Sequence, residues 1–145
     1  MSEERVPTFG LQVISVNGIF YDDEAEEIIL PCEDGELAIL ANHEEMILAI
    51  SDGVIKIKKR GGEWIYGVVS LGSVQVTTDN RCTIIVNTVE KPEDIDKRRA
   101  QEAYEFALEH LQQKQSIKEF KKSQAGLARA LTRLKAASKY SGLGG

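Results

Sequence analysis

The fold class predicted from this sequence is an antiparallel β-sandwich followed by an antiparallel α-helical hairpin, all-β and then all-α. Three observations predict it. From Phe9 to Thr88 the chain is cut into short apolar or alternating runs by turn dipeptides. None of these runs is followed by a helix long enough for a parallel crossover. From Lys91 onward the apolar spacing becomes that of a helix. The 145 residues hold a compact domain of roughly 90 residues plus a helical appendage, and nothing larger. The expected boundaries are 1–90 for the sandwich, 91–140 for the hairpin and 141–145 for a flexible tail, Ser141-Gly142-Leu143-Gly144-Gly145.

Leu11-Gln12-Val13-Ile14 and Ile19-Phe20-Tyr21 are the first strands, and Glu27-Ile28-Ile29-Leu30, Glu36-Leu37-Ala38-Ile39-Leu40 and Met46-Ile47-Leu48-Ala49-Ile50 follow. Gly53 to Lys58 alternates, with Val54, Ile55 and Ile57 among Lys56 and Lys58. Trp64–Val69, Val74–Thr77 and Cys82–Asn87 complete the set. Asn17-Gly18, Asp34-Gly35, Asp52-Gly53, Gly61-Gly62 and Asp79-Asn80 are expected to supply the positive-φ positions that tight turns demand.

Lys91-Pro92-Glu93-Asp94 predicts a helix start. Pro92 suits a first helical position, and Glu93, Asp94 and Asp96 set carboxylates against the positive end of the helix dipole. Ala100, Ala103, Ala107 and Leu111, with Tyr104 and Leu108 beside them, recur at helical spacing to about Gln113, and a break is expected near Gln115-Ser116. In the second helix, from Ile117 to about Lys139, Ile117, Phe120, Leu127, Leu131 and Leu134 gather on one side. Lys118, Lys122, Arg129 and Arg133 gather on nearly the opposite one. The apolar stripe is expected to pack on the first helix with the basic face outward.

At 42% hydrophobic and 28% charged residues the composition is that of a core-forming globular chain and excludes disorder. No stretch approaches the roughly 20 apolar residues of a membrane span. Met1-Ser2-Glu3-Glu4-Arg5 lacks the basic end and apolar centre of a signal peptide, so the chain is expected to stay in the compartment where it is made. Cys32 and Cys82 form no Cys-x-x-Cys and are expected to be buried free thiols, which suits a reducing cytosol. Charge is unevenly spread. Residues 1–109 carry 10 basic and 22 acidic residues, a net −12, whereas residues 110–145 carry 8 basic residues and one acid, Glu119, a net +7. A basic helical end fits nucleic acid, an anionic membrane or an acidic protein surface.

His43 and His110 are the only histidines and neither has a partner at metal-ligand spacing, so no metal site is expected. The phosphate-loop, dinucleotide and nucleophile-elbow motifs are absent, and no catalytic residue is assigned. Asp22-Asp23-Glu24 and Glu26-Glu27 are expected to form a solvated rim. Asp96, Arg99, Arg129 and Arg133 are a candidate anion site, because a hairpin can bring the start of one helix near the end of the other. Three guanidiniums could then meet a triphosphate. Periodicity alone favours a solvated basic face instead.

Several segments in order along the chain carry a resemblance to a known family. Leu11-Gln12-Val13-Ile14-Ser15 with Gly18-Ile19-Phe20-Tyr21 resembles the opening strand pair of ATP synthase epsilon subunits, called delta in mitochondria. Asp34-Gly35-Glu36-Leu37-Ala38-Ile39-Leu40-Ala41-Asn42-His43 resembles the family's Glu-Gly-x-Phe/Leu-Gly-Ile-Leu-Pro-Gly-His loop, and Gly53-Val54-Ile55-Lys56-Ile57 and Val86-Asn87-Thr88-Val89-Glu90 also fit. Ala41-Asn42 stands where the family has Pro-Gly, and Ala38 where it has Gly; Asn tolerates left-handed backbone, so the turn can survive.

The resemblance implies a non-catalytic rotor subunit that sits on the gamma stalk and the c ring. Ser15 and Glu36 then face the c ring, and His43 the gamma side. It implies a mobile hairpin whose basic helix, Lys118 and Lys122 included, meets acidic regions of the catalytic alpha and beta subunits and restrains ATP hydrolysis when extended. Some bacterial members carry Ile/Leu-Asp-x-x-Arg-Ala, matched here by Ile95-Asp96-Lys97-Arg98-Arg99-Ala100. That match reverses the reading from periodicity and implies a regulatory ATP site. Glu90, Ile95, Asp96, Arg99 and Ala100 would surround base and ribose, with Arg129 and Arg133 on the phosphates. No cofactor is required, and any metal ion would come with the nucleotide. The implied location is peripheral, on the cytoplasmic face of a bacterial cell membrane, ahead of a thylakoid. Nucleic acid is the weaker partner, because the basic helix offers no aromatic platform beyond Phe120 on its apolar side.

Overall fold

The computed structural model describes residues 6–112 and 117–140, and for Ile117 and Lys118 the backbone alone. The expected reading of Met1–Arg5, the break at Gln115-Ser116 and the 141–145 tail lie outside the described residues. Among those residues the strands are β1 (Phe9–Ser15), β2 (Gly18–Cys32), β3 (Gly35–Leu40), β4 (Met46–Ile50), β5 (Gly53–Lys59), β6 (Trp64–Val69), β7 (Gly72–Thr77), β8 (Arg81–Val86) and β9 (Val89–Glu90). A 3₁₀ turn (Pro92–Asp94), α1 (Lys97–Gln112) and α2 (Ile117–Tyr140) follow.

The strands run β4-β7-β8-β1-β2-β5-β6-β9, with β3 also paired to β2. The first half of β2 pairs with β1 and its second half with β3 and β5, so one strand belongs to both layers. Alternation selects the core: Leu11 and Val13 of β1, Ile28 and Leu30 of β2, Ile55 and Ile57 of β5, Val74 and Val76 of β7, and Cys82, Ile84 and Val86 of β8 all pack together.

Three expectations are corrected here. Ile19–Tyr21 and Glu27–Leu30 are not separate strands, because Asp22 and Asp23 point to solvent and still pair with Gln12 and Leu11. Charge on an outer position does not end a strand. Not every pair is antiparallel: β1 and β8 run parallel, a pairing open to strands about 70 residues apart because no hairpin joins them. Glu26 is not part of a solvated rim. The register slips between Ala25 and Glu27, so two successive side chains turn inward where β2 bends between layers. The buried Glu26 carboxylate accepts the Gly61 N–H at 3.0 Å and lies 3.7 Å from Lys58 Nζ.

The turn dipeptides divide by mechanism. Gly18 and Gly35 take positive φ, at 121° and 119°, and Asn80 does so at 62°. Gly53 takes no positive φ; a Cβ there would lie 2.6 Å from Pro31 Cβ, so it supplies room for the β2 end and not a turn angle.

α1 begins at Lys97, five residues after Pro92. Pro92 opens the 3₁₀ turn, closed by Asp94 N–H to Lys91 O at 3.0 Å and Ile95 N–H to Pro92 O at 3.2 Å. Ile95 is extended, with ψ 123°, and its side chain is buried. Burial of Ile95 thus interrupts the helical run. Asp96 then caps α1, its Oδ1 accepting the N–H groups of Arg98 and Arg99 at 3.0 and 3.2 Å.

α1 and α2 lie against each other antiparallel: His110 shares a cleft with Glu119 and Lys122 at one end, and Ala103 with Ala130 at the other. Of the expected apolar row on α1 only Ala100 is buried. On α2 the closest packing comes from Ala130, Ala136 and Ala137, while Leu127, Leu131 and Leu134 are half-buried. Small side chains bring the helix backbone near its neighbours on two sides.

Candidate functional site at the hairpin junction

The hairpin docks on the outer face of β5 and β6. Val68 of β6, Ile95, Ala100, Ala136 and Ala137 form a second buried cluster, flanked by Val54, Leu134 and Tyr140. The run Gly67-Val68-Val69 is buried throughout, because β6 is covered by the core on one side and by the hairpin on the other. At the end of α2, the Tyr140 ring stacks on Tyr66 with centroids 4.8 Å apart. Lys56 Nζ lies 6.0 Å from the Tyr140 centroid and 3.2 Å from Glu36 Oε2. Burial alone would lower the Lys56 ammonium, but Glu36 and Tyr140 outweigh it and it titrates above its ordinary value.

β9 places Glu90 opposite Val68 at the rim of this contact. Arg133 of α2 reaches across to it, Nε to Oε1 at 2.5 Å and Nη2 to Oε2 at 3.3 Å, a forked pair joining hairpin to sandwich. The Glu90 hydrogen bond holds Arg133 above its usual range, against a smaller opposing effect of burial. The expectation of a basic face turned wholly outward is therefore corrected: Arg133 is half-buried and faces the sandwich. Nor does the basic stripe turn away from α1: Lys122 and Arg129 border the cleft between the helices, while Phe120 of the apolar stripe is exposed.

Glu90, Arg129 and Arg133 line one crevice of about 50 Å³, together with Asp52, Ser70 and Thr88. Arg99 does not line it; its side chain is exposed. Ile95 and Ala100 lie in the buried cluster, and Asp96 Oδ1 is engaged by the α1 cap. Arg129 also borders the α1–α2 cleft of about 520 Å³, with Lys122, Phe106 and His110.

The candidate contact residues sort to two ends of the sandwich. Val16 N–H bonds Asn87 O, Asn87 N–H bonds Leu71 O, Leu71 N–H bonds Asp52 Oδ1, and Ser51 N–H bonds Pro31 O. This run links the turn after Ser15 to the strand end before Glu36, so both lie at one end. Ser15 Oγ accepts the Asn17 N–H at 3.2 Å. His43 lies at the other end, its Nδ1–H donating to Glu44 O at 2.8 Å. Lys122 is exposed, and the Lys118 side chain lies outside the described residues.

Sequence reasoning missed Val68, Tyr66, Lys56, Ala136, Ala137 and Tyr140 as junction residues. The unbroken Gly67-Val68-Val69 was the available signal, since a strand wetted on one face alternates. The alanines carried none.

An all-β head with a docked two-helix arm, joined by a small apolar contact and one forked ion pair, defines a two-part protein with no catalytic constellation among the described residues. Residues 8–92 match the family described as ATP synthase, Delta/Epsilon chain, beta-sandwich domain, and residues 93–138 match its long alpha-helix domain. The chain belongs to the ATP synthase delta/epsilon chain family. It is similar to the ATP synthase epsilon chain of Caldanaerobacter subterraneus subsp. tengcongensis, 42% identical over 134 residues, 92% of this chain and 96% of the relative. That of Caldicellulosiruptor saccharolyticus is 40% identical over 127 residues, 88% and 91%. The chloroplastic epsilon chain of Pinus thunbergii is 36% identical over 129 residues, 89% and 93%. The fold is also similar to a chain of the Euglena gracilis mitochondrial ATP synthase (OSCP/F1/c-ring, rotational state 1). The TM-score there is 0.80 at 20% identity, covering 95% of this chain and 86% of that one.

Proposed function

We propose that this chain is the epsilon subunit of an ATP synthase central stalk, a non-catalytic rotor part whose hairpin regulates ATP hydrolysis. The observation that carries the regulatory half is the size of the hairpin contact. A few alanines, one tyrosine stack and one ion pair hold the arm on Val68, a contact small enough to be reversed. The end bearing Ser15 and Glu36 also exposes Val16 and Leu71, and suits the c ring. Ile47 and Ile85, exposed on the β4-β7-β8 layer, together with the His43 end, suit the gamma stalk. Released, the arm would present Lys118, Lys122, Arg129 and Arg133 to acidic surfaces of the catalytic subunits. Charge complementarity there sets orientation and association rate.

ATP is the proposed regulatory ligand, held by Glu90, Ile95, Asp96, Arg99, Ala100, Arg129 and Arg133. Binding only the docked hairpin, it would stabilise that state in proportion to the logarithm of its concentration over the dissociation constant. The complex would place the chain at the cytoplasmic face of a bacterial membrane, coupled to protons or sodium ions. No described helix is long and apolar enough to cross a membrane itself. The deciding experiment is ATP hydrolysis by the assembled complex, with this chain whole or truncated after Lys91, which retains β9. Faster hydrolysis without the hairpin supports the reading, and unchanged hydrolysis rejects inhibition.

A second reading, mechanical coupling without ATP sensing, is favoured by the small size of the crevice, about 50 Å³. Equilibrium dialysis of ATP against the unmodified chain and Arg129→Ala separates the two. Measurable binding lost in Arg129→Ala supports the sensor, and no binding by the unmodified chain leaves coupling alone.

A further inference from the structure

The guanidinium that a nucleotide would need is already occupied. Arg133 makes a forked pair with Glu90, a residue 43 positions earlier and on a different element. Both side chains are more than half shielded, at 40% and 35% exposure. The crevice beside them, about 50 Å³, holds a few waters at about 10–15 Å³ each and is too small as it stands for a triphosphate. Arg129 borders the same crevice. A carboxylate and a phosphate oxygen present the same chemistry to an arginine fork: two acceptors in one plane.

We propose that Glu90 is the resident occupant of Arg133, an internal carboxylate that latches the hairpin to the sandwich when no anion is bound and that nucleotide phosphates must displace. The exchange half rests on the nucleotide reading above; the latch half does not. In the exchange one ion pair opens and another forms, with no proton moved. Glu90, freed, is then beside the ligand and available to its ribose hydroxyls. The latch keeps the arm docked while the site is empty, so a fall in ATP does not release the arm outright.

The test reads opening of the junction. In a Cys32→Ser background, Ala137→Cys places a thiol in the buried cluster, and its labelling rate by a disulfide reagent scales with the fraction of time the hairpin is off. The native buried Cys82 reports unfolding of the sandwich in the same sample. Adding Glu90→Gln is expected to speed labelling at position 137 about fivefold in nucleotide-free full-length protein, the worth of a partly exposed charge pair, with Cys82 unchanged. The exchanged pair Glu90→Arg with Arg133→Glu is expected to return the rate toward that of the parent. ATP is expected to slow labelling in the Glu90→Gln protein more than in the parent, because Arg133 is then free for phosphate. Unaltered labelling in Glu90→Gln overturns the latch, as does an exchanged pair that stays open while Cys82 remains protected. Opening in Glu90→Gln, with labelling that ATP slows neither there nor in the parent, leaves the latch standing and removes the nucleotide reading.

Discussion

Asn42 and Asn80 carry a structural duty out of proportion to their size. Both have positive φ, 61° and 62°, and Asn80 Oδ1 accepts the Asn42 N–H at 2.6 Å while its Nδ2 donates to Thr8 O at 2.8 Å. One amide thus ties the β3–β4 loop, the β7–β8 turn and the segment before β1. Asn80→Ala removes one exposed and one part-buried hydrogen bond and is expected to cost about 1–2 kcal/mol by urea denaturation. Asn42→Gly should be nearly neutral, and Asn42→Val should cost more than Asn80→Ala loses at that loop, because a β-branched residue resists positive φ. The tolerance of Asn for left-handed backbone was legible in the sequence; its partner Asn80, 38 positions away, was not. Burial pushes the Cys82 thiol up to about 12, and burial first, then Asp34, raises Cys32. Below pH 9 folded and unfolded chains both keep the Cys82 proton. Between pH 9 and 12 only the unfolded chain releases it, so stability should fall as pH rises through that window. Cys82→Ala should flatten that part of the stability–pH curve.

At the scale of elements, close approach decides more than propensity. A Cβ on Gly72 would lie 2.2 Å from Ile85 O, so Gly72→Ala must push β7 from β8 and is expected to cost about 3 kcal/mol or more in thermal unfolding. Ala137 is fully buried under the hairpin. Ala137→Leu should free the arm, seen as faster proteolysis of α2, while the sandwich keeps its melting temperature. The strands were legible from alternation because one face of each meets the core. The start of α1 was not: Pro92 and the carboxylates after it are a sound helix signal, yet Ile95 gains more by burial than by continuing the helix. The same blindness applies to Arg133. Spacing puts it on the basic stripe, and only the docked arrangement shows that the stripe has a sandwich beside it.

For the whole molecule, charge divides along the fold: the sandwich, residues 1–90, carries 6 basic and 16 acidic residues, a net −10, and residues 91–145 carry 12 and 7, a net +5, so the basic part is the one held by the small contact. On the reading proposed above, high salt should weaken both the Arg133–Glu90 pair and the capture of an extended arm by acidic surfaces, so hydrolysis by the assembled complex should be less inhibited at high than at low salt. β2 sets a different limit. Since it runs through both layers, the sandwich cannot be sheared into two sheets without bending or breaking a continuous main chain. Force applied at the Ser15–Glu36 end passes along a covalent strand to the opposite layer and does not have to cross a greasy interface. For the stalk part proposed above, that construction would make the body a stiff washer and confine yielding to the arm.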